Sequence, residues 1–129
     1  AALNKATAYA KERIVFDRPI GMNQGIQHPL AESWAELEAA NLMAFTAAQK
    51  YDRGENCGAE ANAAKYLAGE AAFKACTNAI QTHGGMGYAK EFHVERYFRE
   101  MLIHRIAPVS PQMILNYLAE RVLELPRSY

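Results

Sequence analysis

Gln81-Thr82-His83-Gly84-Gly85-Met86-Gly87-Tyr88 places three glycines within four positions at the end of a helical run. Such a cluster lets the backbone take positive φ and lets a flat or anionic ligand come close to main-chain N–H groups. A helix C-cap uses one glycine of this kind, so on spacing alone two of the three have no structural duty. A ligand nest and a plain helix–helix corner both satisfy the pattern. Arg13 is the second candidate. Tyr9 lies four residues before it and Phe16 three after, which puts all three on one face if a helix runs through them. That grouping is either an arginine snorkelling over aromatic neighbours or a packed guanidinium ready to pair bidentately with phosphate or carboxylate.

Other chemistries find less support. His28, His83, His93 and His104 lack ligand spacing such as i, i+4 on one helix, so no metal site is expected. His83 borders the glycines, where a helix-terminal histidine commonly meets the last carbonyls. Glu95 and Arg99 are spaced for a weak helix-face pair. Glu32, Glu36 and Asn41 read as a solvated face. No Ser-His-Asp set, Cys-His set or carboxylate pair stands out. Residue chemistry alone gives a helical bundle with one glycine-rich, ligand-facing corner.

The elements that position these residues follow from periodicity, which is helical nearly throughout and shows no sustained strand alternation. A first helix is expected over about 2–16, ended by Asp17-Arg18-Pro19-Ile20-Gly21, because Pro19 disfavours helix at Arg18. A second is expected over about 23–53, with Ile26, Leu30, Trp34, Leu37, Asn41, Phe45, Ala48 and Tyr51 as its inner stripe and Pro29 near its start. A third, over about 58–82, carries Ala61, Ala64, Ala68, Ala71, Ala75 and Ala79, small side chains that permit close helix approach. A fourth spans about 91–104, and a fifth starts with Ser110 as N-cap and Pro111 in the first turn. Short connections between these helices predict an all-α fold, an up-and-down four-helix bundle with an additional short helix.

The 129 residues make one domain with enough apolar content, 50%, for a core. A formal net charge of zero gives no electrostatic footprint for nucleic acid or an anionic membrane, and no apolar run reaches spanning length. Cys57 and Cys76 are the only cysteines, which excludes a disulfide framework and fits a reducing compartment. The chain opens on Ala1-Ala2-Leu3-Asn4 without a Met and reads as a piece of something longer.

Three stretches together resemble one family. Tyr9-Ala10-Lys11-Glu12-Arg13-Ile14-Val15-Phe16-Asp17-Arg18-Pro19-Ile20, followed by Gln24-Gly25-Ile26-Gln27 and Leu30-Ala31, resembles the opening of the C-terminal helical domain of acyl-CoA dehydrogenases. The run from Ala79 to Tyr88 resembles that domain's second signature, and Glu95-Arg96-Tyr97-Phe98-Arg99-Glu100 the helix after it. Their order and spacing match over essentially all of residues 1–129.

The resemblance implies an FAD enzyme that converts an acyl-CoA thioester to the trans-2-enoyl-CoA. Electrons would leave to an electron-transfer flavoprotein, and the helical domain would form the centre of a dimer or tetramer. The setting would be the cytoplasm of a bacterium or the matrix of a mitochondrion. By resemblance, Arg13 pairs with a neighbouring subunit's FAD pyrophosphate and Phe16 packs beside it. Gln24 stands at the start of the second helix, and Gln81, Gly84 and Gly85 lie against the pyrophosphate and adenosine. Ser110 and Gln112 match residues on the cofactor's adenosine side.

Two positions depart from the pattern. Asp17 stands where the first motif usually has Gly. Ala107-Pro108-Val109-Ser110 stands where many relatives have Tyr-Glu-Gly-Thr, so Pro108 occupies the position of the catalytic glutamate and no catalytic residue is assigned here. Some members of the family place the base on the helix preceding this segment, and the resemblance implies the same for the parent chain. Two competing readings keep part of this picture: a flavin oxidase or monooxygenase of the same fold, and a non-catalytic helical oligomerisation module.

Overall fold

The computed structural model describes residues 1–128. Its elements are α1 (Ala2–Glu12), a two-stranded hairpin of β1 (Ile14–Val15) and β2 (Arg18–Pro19), α2 (Gln24–Asp52), α3 (Gly58–His83), α4 (Val94–Ile106) and α5 (Pro111–Arg121), with short 3-10 turns at Ile20–Met22, Gly84–Gly87 and Lys90–Phe92. The expected all-α bundle is therefore present. Helices α1 to α4 run up, down, up, down, and α5 packs on the N-terminal part of α3, where Tyr117 reaches Gly58.

Helix α3 is the central element because its small residues let neighbours approach. Ala64, Gly69, Ala71, Ala75, Cys76 and Ala79 are buried along it, facing α2, α1 and α4. A main core links Ala2, Ala6 and Ala10 of α1 with Leu30, Cys76, Ala79 and Val94. Polar ties then fix the register of α2 against α3. Asn78 Nδ2 donates to Ser33 Oγ at 2.9 Å and to Pro29 O at 3.1 Å, while Lys74 Nζ pairs with Glu32 at 2.9 Å and Glu36 at 2.7 Å. On the other flank Arg105 pairs with Glu70 at 2.8 Å and lies over the Phe73 ring.

Three sequence expectations are corrected. The first helix stops at Glu12 rather than Phe16, because Phe16 and Asp17 take φ of 52° and 60° and form the two-residue tip of the hairpin. Such a tip is normally announced by Asn-Gly or Asp-Gly, which Phe-Asp does not resemble. Helix α4 begins at Val94 after a left-handed His93, with Lys90–Phe92 forming a separate turn. The inner line of α2 is Leu30, Ser33, Ala40 and Ala47. Of the stripe expected there, Trp34, Asn41, Phe45, Ala48 and Tyr51 are exposed.

Candidate functional site

Three helix ends meet at one pole of the bundle: the C-terminus of α1, the N-terminus of α2 and the C-terminus of α3. Tyr9 near the end of α1 stacks on His83 at the end of α3, with ring centroids 4.3 Å apart and planes at 22°. Gly21, just before α2, approaches the Ala10 carbonyl so closely that an added Cβ would stand 2.9 Å from its oxygen. Arg13, Phe16, Gln24, Gln81, Gly84 and Gly85 are thereby carried to this pole, and all six are exposed. Ser110 and Gln112 are not. His104 lies beside Gly69, about 22 Å along α3 from Gly84 at 1.5 Å per residue, and Ser110 follows beyond it.

The hairpin separates two arginines by role. Arg18 is committed to the fold: its Nη2 donates to Asn23 Oδ1 at 2.7 Å, and Asn23 Nδ2 donates to Ile20 O at 2.9 Å. The main chain of Arg13 is fixed at both ends, donating to Tyr9 O at 2.8 Å and accepting from Ile20 N at 2.9 Å. Its side chain is exposed and has no hydrogen-bond or ion-pair partner among the described residues. Phe16 does not share a helical face with it. The ring stands 93% exposed at the hairpin tip on a residue of positive φ, an arrangement unfavourable for a bulky apolar side chain unless something outside the chain covers it.

The three glycines also divide. Gly84 caps α3 with φ 58° and ψ −134°, a conformation open essentially to glycine. Gly87 is buried, and an added Cβ would lie 2.9 Å from Ile80 Cα and closer still to its carbonyl oxygen. Gly85 has neither constraint: its φ is not positive, and a Cβ there would meet nothing within 4 Å. One glycine, rather than two, is left without a structural duty.

Behind the corner His83 is 5% exposed, and its Nδ1 lies 2.7 Å from Ala79 O. This is the helix-terminal carbonyl contact its position predicts. Phe92 closes the cluster edge-on to both Tyr9, at 5.8 Å, and His83, at 5.6 Å. The sequence reading missed Phe92 and the Tyr9 stack, since nothing in their spacing joins them. The Glu95–Arg99 pair forms at 2.9 Å on the α4 surface. Ser110 caps α5, its Oγ accepting weakly from Met113 N at 3.4 Å, and Gln112 is exposed in the first turn.

The pole thus offers a free guanidinium, two amide side chains and exposed glycine backbone, with the exposed carboxylates of Glu12 and Asp17 next in sequence to Arg13 and Phe16. Donors of this kind suit a diphosphate, and the open space over Gly85, which any larger side chain would enter, admits one at close range.

The chain belongs to the acyl-CoA dehydrogenase family: residues 1–123 match the family's model for the acyl-CoA dehydrogenase C-terminal domain. It is 46% identical over 130 residues to an acyl-CoA dehydrogenase of Mycobacterium tuberculosis, covering 99% of this chain and 34% of that protein. A solved glutaryl-coenzyme A dehydrogenase in complex with glutaryl-CoA superimposes with a TM-score of 0.90 at 33% identity, over 98% of this chain and 32% of that one. An FAD complex of PigA superimposes with a TM-score of 0.91 at 28% identity, over 94% and 32%. The chain spans about a third of the length of the curated relatives first matched, 34%. Among the described residues no helix is long and apolar enough to cross a membrane.

Proposed function

We propose that this chain is the cofactor-clasping helical domain of an FAD-dependent enzyme that oxidises acyl-CoA thioesters at the Cα–Cβ bond. In this reading Arg13, Phe16, Gln24, Gln81, Gly84 and Gly85 hold the diphosphate and adjoining adenosine of a neighbouring subunit's FAD. Ser110 and Gln112, at the far side of the bundle, are read from the resemblance as contacts to the cofactor's adenosine side. The observation that carries the proposal is the pairing of an uncommitted guanidinium with an uncommitted glycine at one pole, while Arg18 and Gly87 beside them are both used by the fold.

Held by Arg13, Gln81 and Gly85, FAD would supply a two-electron acceptor for the substrate's β-hydride as a base takes the α-proton, with an electron-transfer flavoprotein as the onward acceptor. This chain binds and orients. Its Pro108, at the position of the family's usual glutamate, has no side-chain group to take a proton. We assign the base to a carboxylate outside residues 1–129, on the preceding helix, and the domain to the centre of a homo-oligomer in the bacterial cytoplasm or mitochondrial matrix.

The test uses the full-length flavoprotein with acyl-CoA and an artificial electron acceptor. Turnover without oxygen consumption is the expected result. Peroxide formation would favour a same-fold oxidase, and a full-length preparation with no flavin at all would favour a purely structural module.

A further inference from the structure

The cofactor reading gives no role to His83, whose ring is buried at the pole. A carbonyl only accepts, so the 2.7 Å contact with Ala79 O requires the hydrogen on Nδ1. That bond fixes the plane of the imidazole on its own helix. The fixed ring then carries Tyr9 in near-parallel stacking, with the edge of Phe92 bracing both. The main-chain carbonyl of Tyr9 in turn accepts from Arg13 N at 2.8 Å, and His83 is the residue before Gly84. A short series of contacts therefore joins the main chain that carries Arg13 to the glycine corner across two different helices.

We propose that His83 is a positioning residue that sets the separation between Arg13 and the Gly84–Gly85 corner, so that both reach one diphosphate. The proposal rests on reading that pole as an FAD cradle. The choice of side chain matters physically. A phenyl ring would preserve the stack, but only a ring nitrogen makes the directional bond that fixes its plane, and binding constellations need positioning to about 0.5 Å.

The test is a double-mutant cycle on the full-length flavoprotein, with FAD affinity of the stripped apoprotein read from flavin fluorescence and thermal midpoints recorded alongside. His83→Ala is expected to weaken FAD about tenfold, and His83→Phe by a smaller factor. Cys76→Ala, a buried change on the same helix, should lower the midpoint and leave FAD affinity within about twofold. If His83 acts through Arg13, adding His83→Ala to Arg13→Ala weakens binding no further; independent, additive losses would overturn the proposal. Wild-type affinity in His83→Ala, with Arg13→Ala impaired, would overturn it as well. An Arg13→Ala variant that binds FAD normally would instead overturn the cradle itself. Should His83→Ala fail to fold, His83→Phe carries the same cycle with the same two outcomes.

Discussion

Gly87 packs its Cα against the main chain of Ile80, and a side chain added there would stand 2.9 Å from Ile80 Cα. Two residues earlier Gly85 faces open space. This contrast predicts opposite phenotypes within one motif. Gly87→Ala should destabilise the fold by about 1–3 kcal/mol through overpacking, whereas Gly85→Ala should stay within about 0.5 kcal/mol. In the full-length protein Gly85→Val should weaken flavin binding. Urea unfolding of the two alanine variants checks the first part; equal losses would show that Gly85 too is structural.

The hairpin tip allows a second prediction. Asp17 has φ 60°, where an L-residue is disfavoured, Asp less than most, and where glycine avoids the penalty at some entropic cost. Asp17→Gly is expected to raise stability by roughly 0.5 kcal/mol, the difference of these two effects. A β-branched replacement, Asp17→Ile, should lower it. Thermal melts that rank the variants in the reverse order would contradict the assigned backbone conformation.

Much of this was legible in the sequence, and the exceptions have physical causes. The ends of α2 and α3 follow from breakers and periodicity, and Ser110-Pro111 marks the start of α5 by capping chemistry. The hairpin was hidden because Phe16-Asp17 carries no turn signature. The inner face of α2 was misread because periodicity locates an apolar stripe without saying what covers it. Small residues, Ser33, Ala40 and Ala47, face α3, while the large Trp34 and Phe45, 60% and 61% exposed, face away. The duties of the glycines were illegible for a related reason: only coordinates show that Ile80 fills the space beside Gly87.

That outward stripe predicts self-association. The exposed surface is 8678 Å², against about 6,800 Å² expected for a compact monomer of this mass. Trp34, Leu42 and Phe45 are large apolar contributors on α2. The chain should sediment as an oligomer at high concentration, and Phe45→Glu should shift it towards monomer. A strictly monomeric profile of the unaltered chain would count against a buried role for this face.

Lys74 gives a pH prediction. The carboxylates of Glu36 and Glu32 raise its pKa above the ordinary lysine value. A raised folded-state pKa means that the contribution is complete below the unfolded value and disappears as pH climbs through the folded one. The unaltered chain should therefore lose stability more steeply than Lys74→Met in that alkaline window, and the two should run parallel at neutral pH. Identical alkaline slopes in a urea-unfolding series would show that the bridge between α2 and α3 contributes nothing.

The central claim concerns Arg13, and FAD affinity of the full-length apoprotein tests it most directly. Arg13→Ala should weaken binding by about 10- to 100-fold, the scale of a lost charge-assisted hydrogen bond. Arg13→Lys should recover only part of that loss, since an ammonium cannot pair bidentately. Arg99→Ala, which breaks only the surface pair with Glu95, should bind within about twofold of the unaltered protein. Unchanged FAD affinity in Arg13→Ala would contradict the assignment of this pole as a diphosphate site.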